Sequence, residues 1–84
     1  MTIITVPKKA PNPSALQVRY LNAEHVKFIE GVRTESGFRA ILVVMGEDGK
    51  YERIETECDI IKVINALTQG FSRIDLSSRQ IKTS

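Results

Sequence analysis

Hydrophobic and polar residues alternate along much of this chain, which is the pattern of half-buried β-strands. The alternation is clear over residues 16–21 and again over residues 25–32, where it predicts that Val26 and Phe28 point inward. Residues 38–45 differ, because apolar side chains occupy both faces of the predicted strand. Such a strand lies in the centre of a sheet or at a subunit interface. Residues 51–56 follow as a more polar strand near an edge.

Turn residues separate these strands. Residues 34–37 contain Gly37, and residues 46–50 contain the Asp48-Gly49 pair that is typical of hairpin turns. Gly31 marks either the end of the second strand or a bulge.

The pattern becomes helical after Glu57. Apolar residues then recur at i, i+3, i+4 and i+7, namely Ile60, Val63, Ile64 and Leu67. This spacing predicts a helix over residues 59–69. Thr56 or Asp59 is expected to cap its N-terminus, and Gly70 stands where a left-handed residue ends a helix.

These elements predict a mostly β fold with one helix, of the α+β class. With residues 71–76 as the last strand, the expected architecture is one antiparallel sheet of about five strands in the order β-β-β-β-α-β. Residues 1–14 hold all three prolines and are expected to form a flexible arm, although residues 1–6 could pair as an edge strand. Residues 15–84 are expected to form a single domain, with a polar tail from residue 77.

Composition narrows the class of protein. The 84 residues are 42% hydrophobic and 26% charged, which is ordinary for one globular domain and argues against wholesale disorder. A single cysteine excludes an intrachain disulfide and favours a reducing compartment. The N-terminus lacks the features of a secretory signal, and the longest apolar run is too short to cross a bilayer. We therefore expect a cytoplasmic protein.

The sequence contains no catalytic constellation. His25 is the only histidine and has no clustered partners, so we expect it at the surface rather than in a metal or catalytic site. Cys58 is expected to pack at the helix start. The glycines lack the spacing of a phosphate loop, and the acidic residues lack that of a calcium loop. We predict that the chain is not an enzyme and needs no cofactor or metal.

Basic residues leave two interpretations open. The net charge is only +2, well short of the excess typical of obligate nucleic-acid binders. Four arginines, however, would form a basic rim able to contact phosphates if the fold placed them at one edge. They are Arg33, Arg39, Arg73 and Arg79. The alternative is that they only keep a small sheet soluble.

Two segments resemble LytTR-type DNA-binding domains. The first, His25-Val26-Lys27-Phe28-Ile29-Glu30-Gly31, is similar to an early strand of that family. The second is Val63-Ile64-Asn65-Ala66-Leu67 followed by Phe71-Ser72-Arg73-Ile74-Asp75-Leu76-Ser77, which resembles the family's helix-to-strand stretch. The likeness covers about residues 18–78 and implies a mostly β domain that binds promoter DNA through loops at one edge.

The resemblance implies that Arg73 and Ser77 contact DNA, with Arg39 as a neighbouring loop residue. Two departures weigh against this. Asp75-Leu76 stands where the family has polar or basic residues, and a carboxylate repels phosphate. The chain also ends before the family's last strand. A weaker likeness, to FlbD-like flagellar regulators, rests on Asn22, Ile29-Glu30 and residues 57–61.

Two functional hypotheses follow. The first is a small LytTR-like regulatory domain that binds duplex DNA through Arg33, Arg39, Arg73, Ser77 and Arg79. The second is a protein-interaction or homodimeric module without nucleic-acid binding. Its basis is the strand over residues 38–45, because one helix covers only one face of a sheet and leaves the other to a second layer or subunit.

Overall fold

The computed structural model describes residues 1–8 and 17–84. Within these residues the chain forms seven strands and one α-helix. The elements are β1 (Ile3–Lys8), β2 (Gln17–Asn22), β3 (Val26–Thr34), β4 (Gly37–Met45), β5 (Tyr51–Asp59), α1 (Ile60–Thr68), β6 (Arg73–Asp75) and β7 (Lys82–Thr83). A 3-10 turn, Ala23–His25, joins β2 to β3.

The strands form two sheets. The terminal sheet has the order β2-β1-β6-β7, and the hairpin sheet has the order β3-β4-β5. The predicted α+β class with one helix is confirmed, whereas the single antiparallel sheet of about five strands is wrong. Pairing is largely antiparallel, but β1 and β6 run parallel. The 3-10 turn after β2 redirects the chain, so that β3 starts a separate sheet instead of extending the first.

The N-terminal residues take part in this architecture. Ile3–Lys8 is an interior strand of the terminal sheet, paired with both β2 and β6, rather than a flexible arm or an edge strand. Ile4 and Val6 have no exposed surface. Burial of these β-branched side chains favours a strand here. Residues 9–14 of the predicted arm lie outside the described residues.

The core lies between the two sheets and beneath the helix. Its buried members are Ile4, Val6, Leu21, Ala40, Leu42, Val44, Ile54, Cys58, Val63, Ala66, Ile74 and Leu76. The strands β1 and β4 contribute alternate residues to it, as the period of two requires. The helix contributes Val63 and Ala66, while Ile64 stays 39% exposed.

The ends of α1 follow the predicted signals. The Asp59 carboxylate accepts hydrogen bonds from the amides of Ile61 (3.1 Å) and Lys62 (3.2 Å), so Asp59 rather than Thr56 is the cap. Gly70 has a φ of 75°, the left-handed conformation predicted for it.

Irregular pairing appears in both edge strands of the hairpin sheet. A register shift between Val26 and Phe28 turns Phe28 to the outer face, where it is 57% exposed, so its predicted inward orientation is wrong. In β5 the register shifts between the pairs Arg39–Asp59 and Ile41–Glu55, which leaves Ala40 with no residue of β5 directly opposite it.

The outer face of β4 is covered from within the chain. Ile41 and Val43 on this face are only 2% and 7% exposed. Side chains of the flanking strands interact across β4: Arg53 binds Glu30 (3.0 Å), and the Phe28 and Tyr51 rings lie 5.8 Å apart. Long side chains of this kind bury apolar surface with their stems. Ile41 and Val43 therefore need no second subunit to bury them, and that argument for self-association loses its basis.

Candidate interaction surface

The helix leaves part of its apolar surface uncovered. Ile61 is 61% exposed and Phe38, at the start of β4, is 48% exposed. Phe38 and Ile60 both lie beside Gly31, because a Cβ added to Gly31 would be 3.2 Å from Ile60 Cδ1 and 3.5 Å from Phe38 Cβ. Because residues three and four apart adjoin on a helix, Ile64 continues the surface. We call Phe38, Ile60, Ile61 and Ile64 the helix patch.

The helix patch exists because the apolar stripe of α1 is wider than the face that the core buries. Val63 and Ala66 lie at the centre of the buried face, and Ile60 and Leu67 are half-buried beside them. Ile61 projects well outside that face at 100° per residue. Exposed apolar side chains that adjoin one another mark interaction sites more often than isolated ones do.

A small depression adjoins the helix patch. It has a volume of about 210 Å³ and is formed where β4 begins, β5 ends and the loop after β6 passes by. Arg39 and Arg79 line it together with Glu57 and Asp59. Phe38 also lines its wall, so this charged depression and the helix patch form one continuous surface.

The charges in the depression are balanced. Arg39 forms an ion pair with Glu55 (3.2 Å), and Asp59 directs its carboxylate to the helix amides. Glu57 stands beside them on β5 and Arg79 faces them from the C-terminal loop. The two guanidinium groups therefore lie among carboxylates and do not form a basic surface.

The five predicted site residues do not all come together. Arg39 and Arg79 share the charged depression, and Arg33 is exposed on β3 directly opposite Phe38. Arg73 belongs to the terminal sheet, where it is exposed and pairs with Ile3. Ser77 follows β6. The predicted rim is thus divided between two parts of the molecule.

Asp75 and Ser77 form a local structural unit. The Asp75 carboxylate accepts hydrogen bonds from the Ser77 amide (2.9 Å) and from the Ser77 hydroxyl (2.6 Å). These two bonds, assisted by the charge of Lys82, lower the pKa of Asp75. The Ser77 hydroxyl predicted to contact DNA is therefore engaged within the chain, beside a carboxylate that stays ionised.

Cys58 packs at the start of the helix, as expected, and is fully buried. Its thiol donates to the Ser78 carbonyl (3.0 Å) and so ties the end of β5 to the C-terminal loop. Burial raises the pKa of the Cys58 thiol, which disfavours a reactive thiolate. The contact fixes the segment that carries Arg79.

Two further findings concern metal binding and membrane spans in the described residues. Among residues 1–8 and 17–84 no three His, Cys, Asp or Glu side chains are placed to hold a metal ion. His25 is exposed in the 3-10 turn. In the same part of the chain, no helix has the length and apolar character needed to cross a membrane.

Comparison with protein-family models, curated proteins and solved structures finds no match to this chain. The LytTR and FlbD likenesses therefore stay predictions, as do the absence of enzymatic activity and the cytoplasmic location. The candidate surface rests on the structure alone.

Sequence reasoning missed the helix patch. Phe38 was expected to fill a buried strand face, but it lies at the open end of β4. The signal was present at the helix start, where Ile60 and Ile61 are consecutive. At about 100° per residue Ile61 points almost opposite Val63, so a face centred on Val63 cannot also bury Ile61.

Proposed function

We propose that this chain is a small non-enzymatic module that binds a protein partner through the helix patch and the charged depression. The observation that supports the proposal is the composition of this surface: an exposed apolar centre of Phe38, Ile61 and Ile64 beside a rim of mixed charge. Protein interfaces have this arrangement, with an apolar, desolvated centre and a polar periphery.

The balanced rim favours a protein over duplex DNA. Phosphates are bound by an excess of Lys and Arg, and each neutralised phosphate releases counterions. In the depression Arg39 and Arg79 are matched by Glu57 and Asp59. Two carboxylates at the same place would oppose a phosphate backbone, whereas they suit a protein surface that carries both signs of charge.

Binding of duplex DNA is the second candidate. It is favoured by the approach of Arg39 and Arg79 in one depression, with Arg33 on the adjacent hairpin. Fluorescence anisotropy with duplex DNA across a salt series tests it. We expect no salt-dependent binding. A different result would favour DNA over a protein partner: salt-dependent binding whose slope becomes smaller when Arg39 and Arg79 are both replaced by Gln. The control variant Arg73→Gln should then keep the wild-type slope.

Site-specific photocrosslinking tests the protein-partner proposal. A photoreactive amino acid replaces Ile61 in the full chain, within cells that naturally contain it, and adducts are identified by mass spectrometry. The control places the same group at Glu47, which is exposed in the hairpin loop away from the helix patch. A discrete protein adduct is expected from position 61 only.

A second change makes the result specific. Ile64→Asp places a charge on the exposed side of the patch without entering the core, and it should abolish the adduct while circular dichroism shows an unchanged fold. The proposal is wrong if position 61 yields no adduct beyond that of position 47, or if the adduct persists in the Ile64→Asp protein.

A further inference from the structure

The hairpin sheet has two outer edges, one on β3 and one on β5. Each belongs to a nine-residue strand. An edge strand presents backbone N–H and C=O groups that can pair with another chain. The charges along the two strands differ, and that difference identifies what one of the edges can pair with.

The direction of the β5 amides follows from the hairpin turn. The Gly46 amide donates to the Lys50 carbonyl (2.9 Å), which makes these two residues a hydrogen-bonded pair. Hydrogen-bonded and non-hydrogen-bonded pairs alternate along an antiparallel ladder. Residues 52 and 54 therefore direct their backbone groups to β4, and Tyr51, Arg53 and Glu55 direct theirs to the outer edge. Among the described residues, no strand is paired with that edge.

Two copies of β5 could pair only in certain registers. In a two-fold antiparallel pair, facing residues must both direct their amides toward the partner or both away from it. The two-fold axis must then lie at one residue of the strand, which stands directly opposite the same residue of the second copy. Centring on Arg53 opposes two arginines, and centring on Glu55 opposes two glutamates. Centring on Ile54 places Arg53 opposite Glu55 of the second copy, and Glu55 opposite its Arg53.

The same test excludes β3. Centring on Glu30 opposes two glutamates and also places Lys27 opposite Arg33 of the second copy. The other two-fold registers within Val26–Thr34 bring no opposite charges of this strand face to face. Like charges directly opposite one another destabilise a pair of strands, whereas opposite charges stabilise it.

Space and charge around β5 agree with such pairing. A groove of about 850 Å³ follows this strand. Residues 52–55 form one wall, and Pro7, Lys8 and Arg19 of the terminal sheet form the other. Arg19 of that wall binds Glu52 of its own chain, and Lys8 would face an approaching β5 strand that carries Glu55. Opposite charges across an interface favour and orient association.

We propose that two copies of this chain associate by antiparallel pairing of their β5 strands about Ile54, which joins the hairpin sheets into one continuous six-stranded sheet. Arg53 and Glu55 exchange backbone hydrogen bonds with Glu55 and Arg53 of the second copy. The pairing uses a part of the molecule separate from the helix patch, and it does not rest on the proposed function.

Charge reversal tests the register. Arg53→Glu and Glu55→Arg each turn both cross-strand pairs into like charges, so each variant should dimerise at least about tenfold more weakly than the wild type. Mixed together, the two variants restore both opposite pairs and should form a heterodimer. Analytical ultracentrifugation over a concentration series measures all four cases, and circular dichroism checks each fold.

Hydrogen exchange locates the pairing. The Arg53 and Glu55 amides should gain protection as concentration rises, while Gly31 and Arg33 on the β3 edge should not. A wild-type monomer throughout the series overturns the proposal, as does a dimer that neither reversal weakens. Failure of the mixed variants to associate also overturns it. So does protection of the Arg53 and Glu55 amides that is independent of concentration, because the edge would then already be paired within one chain.

Discussion

Thr56 offers the sharpest test of how the hairpin sheet is stabilised. Its side chain is 1% exposed and lies at the irregularity of β5. The hydroxyl donates to the Ala40 carbonyl (2.7 Å) and accepts from the Cys58 amide (3.3 Å). Both backbone groups lie where the regular ladder between β4 and β5 is interrupted. Thr56→Val keeps the shape of the side chain and removes both hydrogen bonds.

The expected loss follows from those two groups. Each lost hydrogen bond costs about 1 kcal/mol net, and the buried carbonyl and amide left without partners raise the total to roughly 2–4 kcal/mol. The additional buried methyl group of valine offsets about 0.8 kcal/mol of this loss. We therefore expect the free energy of unfolding to fall by roughly 1–3 kcal/mol. This is a large share of the roughly 4–12 kcal/mol typical of a domain of this size.

Equilibrium denaturation in urea measures the change, with two matched controls. Thr56→Ser keeps the hydroxyl and loses one buried methyl, so it should cost about 1 kcal/mol. Thr34→Val makes the same chemical change at an exposed hydroxyl that donates to the Gly37 carbonyl (3.2 Å), where water can replace it. It should cost no more than about 0.5 kcal/mol. The reasoning is refuted if Thr56→Val unfolds like the wild type, or if serine costs more than valine at this position.

Three further predictions concern the helix start and the C-terminal loop. Asp59→Ala should lower the free energy of unfolding by about 1 kcal/mol. Asp59→Asn can still accept the two amide hydrogen bonds, so it should lower the free energy of unfolding clearly less, and thermal denaturation distinguishes the two variants. Folding lowers the pKa of Asp75, so the ionised carboxylate stabilises the folded state. This stabilisation is fully present above the pKa that Asp75 has in the unfolded chain, and it is lost as pH falls through the lower pKa of the folded state. Asp75→Asn should therefore lose less stability than the wild type between neutral and acid pH, and an equal loss in denaturation curves would contradict this. Cys58 is fully buried and its thiol has a raised pKa, so it should react with iodoacetamide only as fast as the chain opens. Labelling in native buffer at the rate of a free cysteine would show that the thiol is not buried.

Local signals predicted local structure well. The helix observed over Ile60–Thr68 agrees with the predicted residues 59–69, and the Gly49 turn has the positive φ expected for a hairpin. These features depend on neighbours in sequence, which periodicity and turn chemistry report directly. The strand predicted over residues 38–45 is likewise present, within Gly37–Met45, because a short, continuous apolar run bounded by turn residues is typical of a buried strand.

Long-range pairing was the part that the sequence could not supply. Alternation shows that β1 and β6 have one buried face, but it does not say that Ile4 pairs in parallel with Ile74. The division into two sheets depends on the 3-10 turn at Ala23–His25, whose last residue was predicted to begin the second strand. The exposure of Phe28 depends on a register shift that has no proline or glycine to mark it. Apart from the exposed Ile61, the candidate surface was missed for the same reason, since it combines residues from β4, β5, α1 and the C-terminal loop.

The irregularity at Thr56 connects the core to that surface. By accommodating extra residues in β5, it changes the register so that Asp59 lies opposite Arg39 and can cap α1 at the same time. A regular ladder would continue from the pair Ile41–Glu55 and place Glu57, rather than Asp59, opposite Arg39. The Asp59 cap and the orientation of Ile61 then depend on the same two hydrogen bonds that hold Thr56. A Thr56→Val protein should consequently lose helix stability and the order of the helix patch together, before the terminal sheet is affected.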